Sequence, residues 1–366
     1  MRSRWGIAIA VWCWATPKWA ASAPTETSAR GAQLFQEACA ACHGPDGKGA
    51  PRALVGFDQA LPDFTNCNAF VREANTDWLA VIHRGGTARG FDRMMPSFHE
   101  ALTPEQIDSL VAHVRSFCQD DSWPRGELNL PRPFFTEKAY PEDELVLATG
   151  VALSGASSIS NALVFEKRLG ALWQFEVAVP FAYQNSSSPA GWQLGVGDIA
   201  FAVKRVLLHS VHSGSILSIS GELALPTGDV RRGFGIGSAL VAPALHFGQL
   251  WPGVGFFQAQ AGVDLPFHTA EKEAFARAVV GRSFNDSGGL GRRWSPMVEL
   301  AATRAFSSGA DINWNIIPQC QVTISRRQHI MASAGLQVPV NNPGASTALY
   351  VYLLWDFFDG GLGEGW

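Results

Sequence analysis

The sequence is poor in charge and carries no excess of basic residues. Only 16% of its 366 residues are charged, below the ~25% usual for soluble domains. The formal net charge is −4 and the pI is near 6.1. Nucleic-acid binding normally requires a basic patch, so this balance gives it no support. Glycine and tryptophan are abundant, at 37 and 13 residues, which favours a large β protein or a membrane protein, and the length allows two domains.

Beyond its N-terminus the sequence also lacks long apolar runs. A membrane-spanning helix needs about 20 apolar residues, so any span made by this chain would have to be a β-barrel. The one apolar run, residues 5–15, is too short for an anchor; it follows Arg2 and Arg4 and precedes an A-x-A-like sequence at 21–23. This is the pattern of a secretory signal peptide. We therefore predict a signal over residues 1–23 and an exported mature protein.

Cysteine is scarce, and its positions are informative. Removal of the signal would take Cys13 with it and leave Cys39, Cys42, Cys67, Cys118 and Cys320. Export would place these thiols in an oxidising compartment, where disulfides persist. Cys67 and Cys118 could then pair and tie their loop to the last predicted helix, although sequence spacing alone does not establish that they are close.

Residues 29–120 follow a helical pattern and predict a small all-α domain. One helix precedes Cys39, and a short one spans Thr76 to Arg84. The clearest helix starts at Thr103, the N-cap of a capping box completed by Gln106. Its apolar stripe consists of Ile107, Leu110, Val111, Val114 and Phe117. Residues 121–144 then break every period with four prolines, which predicts a semi-rigid, Pro-rich linker.

From residue 145 to 366 the hydrophobic period changes to two, which predicts an all-β antiparallel barrel. About twelve strands are expected, or ten if the poorly alternating segment 273–284 is not counted. Their predicted starts are Leu145, Ser160, Trp173, Leu194, Ser215, Ala239, Val254, Glu273, Ser295, Asp311, His329 and Thr347.

Strand length favours a membrane barrel over a soluble β-sandwich, which would also alternate. Most runs are about nine to twelve residues, against ~5–6 in soluble sheets and ~9–11 for a tilted strand that crosses a bilayer. Aromatic residues recur near strand ends, as in the girdles of outer-membrane barrels: Trp173, Tyr183, Trp251, Trp314, Tyr350 and Trp355. The opposite faces carry the candidate lumen charges Glu176, Lys204, Glu222, Asp264 and Glu299. Cys320 falls on the apolar face and is expected to point to lipid.

Cys39, Cys42 and His43 form a CxxCH motif at the end of the first predicted helix. Two thiols at this spacing can take up the two vinyl groups of a haem, and the adjacent imidazole can reach the iron from the same turn. A zinc-binding or redox-active CxxC is the alternative.

Three further features resemble small bacterial class I cytochromes c: the glycine-rich stretch Gly44 to Gly49, the segment Arg93 to Phe98 and the closing helix from Thr103. The resemblance implies one covalent haem c, with His43 and Met95 as its axial iron ligands. Met94 and three histidines are rivals for the sixth position: His83, His99 and His113. His113 lies on the polar side of its predicted helix and is expected to be solvated.

The final strand, Leu349 to Phe358, resembles the terminal assembly signal of bacterial outer-membrane proteins, although the chain continues through 359–366. The layout as a whole resembles bacterial fused cytochrome–porin proteins, including outer-membrane iron oxidases. It implies electron transfer by a single-haem domain anchored at the outer membrane and in or facing the periplasm. Its partners would be a redox protein or an extracellular donor or acceptor such as Fe(II).

An iron with both axial positions filled leaves no site for substrate, so an electron carrier is favoured over an enzyme. Two other readings remain open. The barrel could be a pore or transporter with an accessory haem domain, or the protein could be a soluble periplasmic carrier whose β half docks a partner.

Overall fold

The computed structural model describes residues 26–56, 61–187, 190–268, 271–285, 290–342 and 345–366. The predicted signal, residues 1–23, lies outside the described residues. The chain forms a helical domain followed by a β-barrel. The helices are α1 Glu26–Ala38, α2 Ala40–His43, α3 Arg52–Val55, α4 Cys67–Phe70, α5 Asn75–Arg84 and α6 Pro104–Arg115.

The helical domain is organised by the crossing of α1 over α6. The crossing depends on Gly31, because a Cβ there would lie 2.1 Å from the carbonyl oxygen of Ser109. Helix α6 begins as predicted. The Thr103 hydroxyl accepts a hydrogen bond from the Gln106 amide, and the Gln106 side chain accepts one from the Thr103 amide. Its apolar stripe packs with Phe35 and Phe64 into one buried cluster. The sequence therefore predicts this helix and its buried face correctly.

A disulfide and an arginine secure the other side of the helical domain. Cys67 and Cys118 are joined, with 51 residues of separation between them. Arg115, at the end of α6, donates to the carbonyl oxygens of Phe70 and Glu73 and to the side chain of Asn75. The disulfide and the hydrogen bonds of Arg115 together hold the α4–α5 segment against α6.

The second half is a closed antiparallel barrel. Its strands are β1 Glu144–Ala152, β2 Ser158–Leu169, β3 Trp173–Ser187, β4 Ala190–Val196, β5 Ile199–Ser210, β6 Ser215–Leu225, β7 Leu240–Trp251, β8 Gly255–Pro266, β9 Glu273–Gly281, β10 Phe284–Asn285, β11 Arg293–Ala305, β12 Asn313–Thr323, β13 Ile330–Pro339 and β14 Ala348–Asp356.

Twelve strand positions close the barrel. Strands β4 and β5 pair with successive parts of β3, and β9 and β10 pair with successive parts of β11, so each pair occupies one position. Pairing of β1 with β14 and of β9 with β11 completes the ring of the 14-stranded sheet. The expectation of an all-β barrel of about twelve strands is confirmed, and the weakly alternating segment near Glu273 is a true strand.

Alternate residues of each strand separate an apolar exterior from a polar interior. Leu194, Leu208 and Val280 on the outside are 65%, 66% and 56% exposed. Of the predicted lumen charges, Glu176, Lys204 and Glu299 are buried inside, whereas Glu222 and Asp264 are half-buried on the same face.

One girdle prediction is wrong. Tyr350 points into the lumen, where its ring packs on Phe134 and Phe135 at centroid distances of 5.6 and 5.1 Å. The parity of β14 places Tyr350 on the inner face together with Tyr352, and position near a strand end does not reveal this.

The segment expected to be a linker lies inside the barrel. Side chains from around the ring bond to its backbone: Gln174 of β3 to Glu142 N, Lys204 of β5 to Lys138 O, Ser218 of β6 to Ala139 O, Gln258 of β8 to Pro131 O, Arg277 of β9 to Phe135 O and Tyr352 of β14 to Arg132 O. Only a segment within the lumen can reach all of these strands. Residues 128–143 therefore form a plug, a term used below for this segment.

Charge and apolar contacts both fix the plug. Lys138 pairs with Glu142 at 2.6 Å and with Glu144 at 2.7 Å. Arg132 pairs with Glu144 and with Glu166 of β2. Leu130 packs on Phe256, Val279 and Met297 from the barrel wall. A buried charge is costly unless it is paired, and these pairings explain how so polar a segment occupies the interior.

The two ends of the barrel differ. At the end where β1 starts and β14 stops, several connections are short, such as 170–172 and 252–254; at the opposite end, connections such as 226–239 and 340–347 are longer. The helical domain docks at the short-turn end, where Arg72 pairs with Asp143. Within the described ranges, no helix has both the length and the apolar character needed to cross a bilayer.

Candidate functional site: the haem-binding motif

The CxxCH motif begins at Cys39, directly after α1, and continues through the short helix α2. The amide of Cys39 donates to Phe35 O at 2.9 Å, and the amide of His43 donates to Cys39 O at 2.9 Å. Gly44 then ends the turn with φ of 74°, a conformation that glycine adopts without strain. Helical backbone through the motif places both thiols and the imidazole on one short stretch of chain.

The two thiols of the motif are not joined to each other. Cys39 and Cys42 are both free and half-buried. Burial, with a smaller contribution from Cys42, raises the pKa of the Cys39 thiol to about 11. Redox-active CxxC motifs depend on a lowered thiol pKa. The environment of Cys39 therefore does not favour the redox-active alternative.

His43 is held against the apolar core. Its ring stacks on Phe64 with centroids 5.0 Å apart. Burial lowers the pKa of the imidazole, which keeps the ring neutral, as a metal ligand must be. Its buried Nδ1 has no hydrogen-bond partner among the described residues.

Met95 is better placed than Met94 to reach the same core. Met95 is half-buried and packs against the cluster that also receives Cys39, whereas Met94 is 38% exposed. The carbonyl of Met95 accepts from Gly86 N at 3.0 Å. Met94 is turned away, and its amide donates to Asp92 Oδ1 at 2.8 Å. The structure thus brings Cys39 and Met95, two of the four predicted haem residues, onto one apolar cluster, beside Phe64 and His43.

The rival histidines lie in other settings. The rings of His83 and His99 stack on each other at 5.4 Å. The expectation that His113 is solvated is wrong: its ring packs between Phe35 and Phe117, at 5.2 and 5.0 Å. The α1–α6 crossing encloses this side of α6, and a helical wheel of α6 alone cannot show that.

The donor set fits a c-type haem. Two free thiols, a neutral imidazole and a thioether are the groups that such a haem takes. Cys39 and Met95 pack on the apolar cluster, and His43 stacks on Phe64 of that cluster. Trp78, on the same cluster, has a buried indole N–H without a partner, as expected where a polar group of a cofactor would complete the pocket. Phe64, Trp78 and Gly31 were not identified as site residues from the sequence, because their roles arise from packing between distant segments.

The segment that carries Met95 is held against the barrel end by two arginines. Arg327, in the turn between β12 and β13, donates to Gly90 O at 3.2 Å and lies 4.4 Å over the Phe91 ring. Arg89 donates to Leu290 O at 2.7 Å. The C-terminal residues 357–366 fill the space between: the amide of Arg327 donates to Gly365 O at 3.2 Å. The Met95 segment is therefore part of the junction between the two halves.

Comparison with known proteins identifies the N-terminal helical domain. The family model for cytochrome c matches residues 28–117. No curated protein matches the sequence.

Solved structures that match the barrel half include an outer membrane channel from Pseudomonas putida F1, which is 12% identical with a TM-score of 0.44 and covers 62% of this chain and 99% of that one. The NanC porin is 9% identical with a TM-score of 0.42, covering 58% and 98%. The KdgM porin is 9% identical with a TM-score of 0.39, covering 58% and 99%. The family match over residues 28–117 and the strand pairing of the second domain show that the chain joins a cytochrome c domain to a closed antiparallel β-barrel of twelve strand positions.

Proposed function

We propose that this protein is an electron carrier whose covalently bound haem c is held at the outer membrane by a plugged β-barrel. The observation that carries the proposal is the docking of the haem-binding domain, with its Met95 segment, on one end of a barrel whose lumen is filled. When bound, the haem supplies one-electron redox chemistry. Cys39 and Cys42 attach it, His43 and Met95 hold its iron, and the apolar cluster around Phe64 excludes water.

The exterior of the barrel supports a membrane location. Its outward side chains form a continuous apolar surface that includes Leu163, Leu245 and Leu353, at 40%, 50% and 47% exposure. An apolar surface of this extent is not expected on a soluble protein, and strands of this length match the bilayer. These features favour the membrane barrel over a soluble partner-docking domain.

The plug weighs against the pore or transporter reading. Residues 128–143 bond to the barrel wall from β3 round to β14, and Glu299 at mid-strand is fully buried against them. A solute path would require the plug to move. The barrel is therefore proposed to act as an anchor in its resting state.

Electron exchange is proposed to occur on the periplasmic side. Outer-membrane barrels place short turns in the periplasm and longer loops outside, and the cytochrome domain docks at the short-turn end. An extracellular donor such as Fe(II) would then have to be connected by another protein, since one haem at that end cannot cross an apolar band of ~25 Å.

Haem attachment is tested by expressing the full chain with a haem-ligation system. The wild type should show a Soret band that survives denaturing electrophoresis as haem stain, and Cys39→Ser with Cys42→Ser should abolish the stain. A wild-type protein with an intact barrel but no Soret band would refute the proposal.

The iron ligand is tested in the same preparation. Oxidised wild type should show the weak long-wavelength Met–iron absorption band, which Met95→Ala should lose and the matched control Met94→Ala should keep. The reduction potential should fall in Met95→Ala, because a methionine ligand raises it. Retention of the band in Met95→Ala would rule out Met95 as the ligand.

Membrane location is tested by fractionation. The protein should pellet with outer membranes and need detergent for extraction. Solubility without detergent would instead support the partner-docking domain.

A further inference from the structure

A basic groove lies where the cytochrome domain meets the barrel. Its volume is about 400 Å³, and it runs between the segment before Met95 and two turns of the barrel end. Four arginines line it: Arg84 and Arg89 from the cytochrome domain, Arg292 directly before β11 and Arg326 from the β12–β13 turn. Among the described residues that line this groove there is no aspartate or glutamate. We refer to it as the arginine groove.

Arg89 gives the groove a buried donor without a partner. The side chain is 3% exposed. Its Nε donates to Asp77 Oδ1 at 2.8 Å and its Nη1 to Leu290 O at 2.7 Å, which fixes the guanidinium plane. Its Nη2 is buried and has no hydrogen-bond partner. A buried guanidinium donor left unsatisfied is costly and indicates that a further acceptor belongs there.

The surroundings leave positive charge for a ligand to neutralise. Two acidic residues lie on the inner side, Asp77 and Glu73. Asp77 is shared among Arg89, Arg293 at 3.5 Å and the amide of Gln328 at 3.1 Å. Glu73 interacts electrostatically with Arg89 and Arg293, and also with Arg115. Arg292 and Arg326 are exposed at the groove. Guanidinium groups match phosphate oxygens with two parallel hydrogen bonds, and the volume is sufficient for a small phosphate compound or a lipid headgroup.

We propose that the arginine groove binds a phosphate group, carried either by a lipid headgroup or by a free phosphate compound. The groove lies at the short-turn end of the barrel, where phospholipid headgroups border the apolar exterior. Its walls come from both halves of the chain, so an occupied groove joins the cytochrome domain to the barrel. The site does not depend on the identity of the iron ligands.

The test uses the full haem-loaded chain in detergent. The first arm titrates inorganic phosphate by calorimetry. The second adds phosphatidylglycerol, with diacylglycerol as the lipid that lacks phosphate, and counts retained lipid by native mass spectrometry. Both arms compare wild type, the groove variant Arg292→Gln/Arg326→Gln and the control Arg52→Gln/Arg231→Gln, which removes the same charge at exposed sites outside the groove.

The groove variant should bind at least about tenfold more weakly than wild type and control, as expected for loss of charge-assisted hydrogen bonds. Weaker binding of inorganic phosphate by the groove variant would identify a free phosphate compound as the ligand. Weaker retention of phosphatidylglycerol by the groove variant would identify a lipid headgroup. Both substituted arginines are exposed, so folding should be retained, as checked by the Soret band and by heat-dependent gel mobility. Equal binding by both double variants, or no binding by wild type in either arm, would overturn the proposal.

Discussion

Replacing Glu299 by alanine should release the plug and open the barrel. The carboxylate of Glu299 is fully buried on β11. It accepts from the backbone amides of Phe135 and Thr136, from the Thr136 hydroxyl at 2.6 Å and from Gln319 Nε2 at 2.9 Å. One side chain of the barrel wall thus accepts several hydrogen bonds from the plug. Its loss should weaken the attachment of the plug more than it destabilises the barrel.

The size of the effect follows from the donors that the substitution leaves behind. Three N–H groups would lose their acceptor, and each costs about 1–3 kcal/mol if it stays buried. Water entering the freed space would replace part of this loss, so we expect about 3–4 kcal/mol less stabilisation of the plugged state. That corresponds to a rise of roughly 150- to 700-fold in the ratio of unplugged to plugged molecules.

Single-channel recording in planar bilayers measures this ratio directly. Wild type should stay closed, Glu299→Ala should show frequent openings, and Asp264→Ala should behave as wild type, because Asp264 is a half-buried lumen carboxylate with no hydrogen bond to the plug among the described contacts. If Glu299→Ala forms an intact barrel by heat-dependent gel mobility and yet stays closed, the reasoning about the plug is refuted.

Three further outcomes concern the cytochrome domain. Cys67→Ser should cost about 4 kcal/mol of unfolding free energy, because the disulfide closes a long loop; denaturant titration of the Soret band measures it, and an unchanged midpoint would contradict this. Gly31→Ala should lower the free energy of unfolding by about 2–3 kcal/mol, because the added methyl group overpacks the α1–α6 crossing. The control Ala32→Gly should show no comparable loss. Equal stability of Gly31→Ala and wild type would argue against the crossing. Burial, and secondly the charge of Asp77, raises the pKa of Glu73 from 4.5 to about 7. Because the pKa of Glu73 is higher in the folded state, its contribution to the free energy of unfolding is fully present below pH 4.5 and is lost as the pH rises to about 7. Glu73→Gln should therefore flatten that part of the pH–stability curve. An unaltered curve would count against this role of Glu73.

The sequence predicts the barrel well because the physics is local and repeated. Each strand alternates apolar and polar residues, and a lipid-facing charge near the midplane would cost about 2–4 kcal/mol, so the pattern is strict. The alternation predicts strand starts at Trp173, Ser215 and Glu273, and these residues begin β3, β6 and β9. The capping box at Thr103 is equally local, and it too is found as predicted.

The plug could not be predicted in this way. Its prolines and mixed charges are as typical of an exposed linker as of a lumen segment, because both need polar groups with satisfied hydrogen bonds. The difference lies in partners more than 100 residues away, such as Gln258 for Pro131 O and Arg277 for Phe135 O. No local pattern encodes those contacts.

The proposed haem site also combines a part that local sequence predicts with a part that it does not. Cys39, Cys42 and His43 lie in one turn and are evident from their spacing. Met95 comes from a segment more than 50 residues later, and its inward position over Met94 is settled by packing on the shared cluster. The groove lined by Arg89 and Arg326 joins segments that are distant in the chain, and it is visible only once the two halves are docked.

The central claim is that electrons are exchanged at the short-turn side of a sealed barrel, and sided reduction of the haem tests it most directly. The protein is reconstituted into liposomes, its orientation is determined by protease access, and a membrane-impermeant reductant is added outside. Only molecules with the cytochrome domain outside should show the reduced Soret band, and the rest should follow after detergent lysis. Immediate reduction of both populations in intact liposomes would contradict the account.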